Sequence, residues 1–92
     1  MGTAITTLTI MPESPSTDLK KIEHEALKFI SAFSDDRPKR VDIKPVAFGL
    51  QSVNIVFLMD EKKGDTESLE KQISEIEGVQ SVECTDIRRI IG

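Results

Sequence analysis

Between Val53 and Met59 every residue except Asn54 is apolar. Successive side chains of a strand point to opposite faces, which puts Val53, Ile55, Phe57 and Met59 on one side and Asn54, Val56 and Leu58 on the other. A strand apolar on both faces belongs in the middle of a sheet. It therefore needs strand partners on both sides, from a chain of 92 residues that has room for one small domain, taken as 1–92.

The partners follow from periodicity. From Thr3 to Met11, Ala4, Thr6, Leu8 and Ile10 alternate with Ile5, Thr7 and Thr9, the pattern of a second strand. Pro12 and Pro15 interrupt it, and Ser16, Thr17 and Asp18 offer side-chain oxygens to cap a helix. Leu19, Ile22, Ala26, Phe29, Ile30 and Phe33 then recur at the spacing of one helical face, leaving Lys20, Lys21, Glu23, Glu25 and Lys28 to solvent. Ser34–Arg40, polar and containing Pro38, reads as a loop before a strand carrying Val41 and Ile43. After the central run, Gly64 and Asp65 open a second helix with Leu69, Ile73 and Ile76 as its buried stripe and Gly78 as its stop. Val79–Ile87 is the last strand, with residues 88–91 as a tail. The order β-α-β-β-α-β predicts an α+β, ferredoxin-like sandwich, with two helices on one face of a four-stranded antiparallel sheet. The other face and the loop tips stay free.

Composition removes several functions. No stretch approaches the ~18 apolar residues of a membrane span, and Met1–Ile10 lacks the basic start and apolar run of a secretory signal, so a cytoplasmic location is expected. Cys84 is the single cysteine, which rules out an internal disulfide and a cysteine-based zinc set. A net charge of -4 and a pI near 4.9 disfavour nucleic acid, whose backbone is held by clustered Lys and Arg. His24 lies between Glu23 and Glu25 with no second ligand at metal spacing. The helix carboxylates Glu67, Glu70, Glu75 and Glu77 read as a solvated face. No phosphate-binding loop or hydrolase motif is present, so neither direct nucleotide binding, nor a cofactor, nor enzymatic bond chemistry is expected.

The stretch Lys44–Gln51, KPVAFGLQ, links the second and third strands. Pro45 cannot donate to a ladder and suits a strand edge, and Gly49 permits angles that other residues avoid. Phe48 sits at the hairpin tip, far from the helix-covered face. It either folds back as a local plug or stays exposed to meet something else.

This stretch, together with Ile10-Met11-Pro12-Glu13 and Ile76-Glu77-Gly78-Val79-Gln80-Ser81-Val82, resembles the archaeal-type translation elongation factor 1-beta family, in the same order and over almost the whole chain. The resemblance implies a ferredoxin-like guanine nucleotide exchange factor acting on elongation factor 1-alpha, a GTPase. It also implies that the Phe48-Gly49 tip, flanked by Pro45, Ala47 and Leu50, enters that partner. Eukaryotic relatives carry a lysine beside the C-terminus that disturbs the partner's magnesium site. Here no lysine follows Lys71, so that device is not carried over. Arg88 and Arg89 are the candidate replacements, with a solvated chain end as the alternative. Two rival readings remain: RNA binding through the open sheet face, and a small-ligand regulatory module or an acylphosphatase-like enzyme, for the latter of which Asn54 exists but no arginine precedes Arg37.

Overall fold

The computed structural model describes residues 2–90. Four strands, β1 (Thr3–Pro12), β2 (Lys39–Pro45), β3 (Gln51–Asp60) and β4 (Val79–Ile90), form one antiparallel sheet in the order β2-β3-β1-β4. Helices α1 (Leu19–Phe33) and α2 (Glu67–Ser74) pack against each other and against the sheet, α1 over β3 and α2 over β4. This is the ferredoxin-like arrangement that the element order predicts, with β3 inside the sheet as its two-sided apolar run requires.

Alternation decides which side is core. Ala4, Leu8 and Ile10 of β1 and Val53, Ile55, Phe57 and Met59 of β3 are buried beneath Ile22, Ala26 and Ile30 of α1 and Leu69 and Ile73 of α2. Phe33 meets Phe57 edge to face, centroids 6.5 Å apart, a geometry that sets a positive ring edge against a negative ring face. The opposite faces of β1 and β3 carry no helix, and there Ile5, Thr7, Val56 and Leu58 remain half-buried.

Local chemistry sets the boundaries. Asp18 caps α1, its Oδ1 accepting from the Lys20 and Lys21 amides at 3.1 and 3.2 Å. At the other end the Asp36 N–H reaches back to the Ser31 carbonyl at 2.8 Å, closing the helix with Asp35 and Asp36 both at positive φ. Helix α2 starts at Glu67, later than the Gly64-Asp65 signal, because Glu61–Lys63 make an extra turn and Thr66 occupies the N-cap. Gly78 has φ 94, and a Cβ there would lie 2.8 Å from Thr17 Cγ2. Its carbonyl accepts from the Glu13 amide at 2.9 Å, so the α2–β4 turn locks onto the loop after β1.

One core group is out of place. Thr6 is fully buried and its hydroxyl has no hydrogen-bond partner among the described residues, a desolvation cost of about 1–3 kcal/mol. Thr6→Val keeps the shape and removes the orphan hydroxyl. Urea denaturation should show the variant more stable by about 1 kcal/mol, and thermal unfolding should shift up by about 4–8 °C.

Candidate partner-binding site

The β2–β3 hairpin projects from one end of the sheet. Pro45 pairs with Gln51, the Val46 amide donates to the Leu50 carbonyl at 2.8 Å, and the Leu50 amide donates to the Ala47 carbonyl at 3.3 Å. Between them Phe48 has φ 62 and ψ 28, and Gly49 has φ 75. Positive φ at both central residues is the primed turn, whose twist matches that of the flanking strands. Such turns favour Asn-Gly, because asparagine and glycine tolerate left-handed backbone. Phenylalanine does not, and the conformation costs about 1–2 kcal/mol.

Phe48 is also 93% exposed, so the plug reading fails. Its ring is left almost wholly in water among the described residues. The turn is nonetheless well placed: β2 is an edge strand, where the missing N–H of Pro45 is tolerated, and the β1–α1 loop approaches from the side, with Pro15 Cγ 3.9 Å from where a Gly49 Cβ would stand. Val46 and Ile43 of the same hairpin are exposed as well, at 39% and 42%. Together they form an apolar tip.

Arg88 and Arg89 are not in a free tail. They belong to β4, which runs to Ile90, with Arg88 opposite Ile5 and Arg89 opposite Ala4. The expected strand end at Ile87 is too early because this edge strand is exposed on both faces here and has no apolar alternation to read. Ile91, placed in the same tail, lies outside the described residues. Alternation puts Arg88 on the open face, where its Nε meets Asp86 Oδ2 at 3.0 Å, and Arg89 on the helix side.

The antiparallel register separates the two sets of candidates. Ile5, the neighbour of Arg88, pairs with Leu58, whereas the hairpin tip joins β3 at Gln51. Gln51 to Leu58 is seven residue steps, about 23 Å at ~3.3 Å per step. Phe48 and the arginines therefore sit at opposite ends of the sheet and cannot enter one pocket.

The open face divides in a way the sequence did not reveal. Near the hairpin it is polar and internally satisfied: the Thr9 hydroxyl donates to Asn54 Oδ1 at 2.8 Å, and Asn54 Nδ2 donates to Ser52 Oγ at 2.9 Å. Near Arg88 it is apolar, with a shallow cleft of about 220 Å³ over Ile5, Val56 and Leu58, bordered by Pro38 and Arg40. A groove of about 250 Å³ between α1 and α2, floored by Phe29 and Ile76, lies on the other side of the molecule. Of the four phenylalanines, Phe29 and Phe33 are on α1, Phe57 is in the core and Phe48 is on the hairpin, and the chain has no Tyr or Trp. The open face thus has no aromatic on which a base could stack. Among the described residues no group of His, Cys, Asp and Glu is arranged to hold a metal, and no helix is long and apolar enough to cross a membrane.

The family model of the EF-1 guanine nucleotide exchange domain matches residues 5–90. Elongation factor 1-beta of Methanothermobacter thermautotrophicus is 36% identical over 91 residues, covering 99% of this chain and 100% of that protein. The chain belongs to the elongation factor 1-beta family. Elongation factor 1-beta of Methanococcoides burtonii is 38% identical over 97% of this chain and 98% of its own. The family is one of translation elongation factors with a nucleotide-exchange role, and the hairpin and β4 described above lie within the matched segment. Among solved structures, the de novo designed protein Foldit4 superposes with a TM-score of 0.68 at 12% identity, over 98% of both chains. The LarC2 C-terminal domain, of which the match covers 58%, gives 0.62 at 9% identity. At such identities these two show the shared fold alone.

An exposed, strained residue makes a clear stability prediction. Phe48→Asn should leave the fold intact and raise its unfolding free energy by up to about 1 kcal/mol, since asparagine accepts the left-handed conformation. Urea denaturation checks this. A phenylalanine packed as a plug would instead lose about 3–5 kcal/mol on truncation.

Proposed function

We propose that this member of the elongation factor 1-beta family promotes GDP release from elongation factor 1-alpha during translation in the cytoplasm, and that Phe48 is the group it inserts into the GTPase. The observation that carries the reading is Phe48 itself: 93% exposed, at φ 62, on a hairpin tip in a chain that matches a guanine nucleotide exchange domain. A side chain held in strain and left in water is stabilised only when a partner covers it.

The mechanism is competition between two ligands for the conformation of the GTPase, without bond making by this chain. Pro45 and Leu50 hold the strand ends of the hairpin, Ala47 and Gly49 complete the turn, and Phe48 arrives already oriented, so little ordering entropy is lost on docking. Burying one phenylalanine yields about 1.5–3 kcal/mol, about ten- to a hundredfold in an equilibrium constant. Linkage is reciprocal: whatever factor bound exchange protein removes from GDP affinity, bound GDP removes from the affinity of the exchange protein.

Arg88 and Arg89 supply a second contact about 23 Å from the first along the sheet. The GTPase then meets both ends of a rigid slab, so that a domain rearrangement, more than a local push at one pocket, is what loosens the nucleotide. The arginines are exposed, and their effect falls mainly on association rate and salt dependence.

Stopped-flow release of fluorescent GDP from elongation factor 1-alpha tests both contacts. The native chain should accelerate release, and Phe48→Ala should lose about ten- to a hundredfold of that effect at subsaturating concentration. Arg88→Ala combined with Arg89→Ala should raise the half-maximal concentration severalfold and flatten its dependence on salt. Unchanged release with Phe48→Ala would remove the hairpin from the mechanism, and no acceleration at saturation would remove the function.

A further inference from the structure

The outer edge of β4 is open. β4 is the longest strand, has no strand beyond it among the described residues, and contains no proline. An uncovered strand edge offers a row of backbone donors and acceptors to any chain that can pair with it. The other edge is guarded better: β2 is bracketed by Pro38 and Pro45, and its Lys39, Arg40 and Lys44 outnumber Asp42, so copies repel there. On β4 the charges balance, Glu83 and Asp86 against Arg88 and Arg89.

The first half of this edge is disrupted. Thr7 pairs with Asp86 and Leu8 with Cys84, which leaves Thr85 as an extra residue in a bulge. Bulges turn an edge away from new partners. From Asp86 to Ile90 the pairing with β1 is regular, and this segment carries two of the exposed large hydrophobics, Ile87 at 47% and Ile90 at 43%.

We propose that Asp86–Arg88 is a self-association edge, on which two copies of this chain pair antiparallel about a twofold axis through Ile87. An antiparallel pair of identical edges requires an axis perpendicular to the sheet, so residues from the same face must meet and the register can slip only by two. With the axis at Ile87, Ile87 meets Ile87 of the second copy on the helix side. On the open face each Asp86 stands opposite the second copy's Arg88. Moving the axis to Asp86 sets two carboxylates opposite each other, and moving it to Arg88 sets two guanidinium groups opposite each other. Opposite charges facing across strands stabilise and like charges destabilise, so the sequence of this edge selects one register. The Arg88–Asp86 pair within one strand, at 3.0 Å, would be exchanged on association for two such pairs between copies.

The product is one continuous sheet with four strands from each copy and both hairpin tips free. Pairing over so short an edge buries little area, which makes the association weak and concentration-dependent. It also occupies Arg88. The inference stands apart from the exchange reading, because its test contains no GTPase.

Sedimentation velocity over rising protein concentration should show the native chain moving from monomer toward dimer, with amide signals of residues 86–88 broadening first in NMR spectra. Asp86→Lys and Arg88→Glu should each stay monomeric at every concentration, since each places like charges opposite. An equimolar mixture of the two should associate again, because Lys at 86 of one meets Glu at 88 of the other. Both positions are exposed, and circular dichroism verifies that each variant is folded. A native chain that stays monomeric, reversals that associate as the native chain does, or folded variants that fail to associate when mixed would each overturn the proposal.

Discussion

β1 holds the molecule together. It is the one strand paired on both sides to strands distant in sequence, β3 and β4, and its Ala4, Leu8 and Ile10 are buried in the same core as the inward residues of both helices. β2 and β3 could form a hairpin alone, but an isolated two-stranded hairpin is marginal in water. The β4 segment has no other strand partner among the described residues. The register of β1 therefore also sets the positions of everything exposed: it places the Phe48 tip at one end and the arginines of β4 at the other. A slip of one residue would exchange the core and open faces of β1.

Rigidity and strain are distributed accordingly. Among the described buried side chains only the Thr6 hydroxyl lacks a hydrogen-bond partner, whereas the residues that violate local preference lie at the ends of elements. Asp35 and Asp36 take left-handed backbone to close α1, a role for which aspartate is suited. Phe48 takes the same conformation where an asparagine would serve the turn better, and only its apolar surface distinguishes it. The exposed large hydrophobics among the described residues are Ile43, Val46 and Phe48 at the hairpin and Ile87 and Ile90 on opposite faces of β4. Exposed apolar groups gathered at a hairpin tip are the pattern of a contact surface.

Most of the fold was legible because burial imposes a period. The α1 stripe and the Asp18 cap agree with the observed helix, and alternation in β1 and β3 assigns their core faces correctly. Legibility ended where burial ended. The last residues of β4 carry charges and isoleucines exposed together, so no period marks Arg88–Ile90 as strand; backbone pairing with Thr3–Ile5 makes it one. The start of α2 was displaced because Glu61–Lys63 form a turn stabilised by the Asp60 side chain, which accepts from the Lys62 amide at 2.9 Å, an interaction without a periodic signature. At the candidate site, residue identity raised the question of Phe48 but could not answer it, since the same residue at a turn can pack or project.

The amino-acid sequence by itself determined the element order, the core faces and the family, because hydrophobic period, caps and turn residues are local and each is read within a few positions. Tertiary structure alone decided that Phe48 projects, that Arg88 and Arg89 are strand residues at the opposite end of the sheet, and that Ile5, Val56 and Leu58 gather into one patch beside Arg40. Those facts depend on the register between strands far apart in the chain. Register is set by the summed burial of the whole sheet, so no single segment carries it.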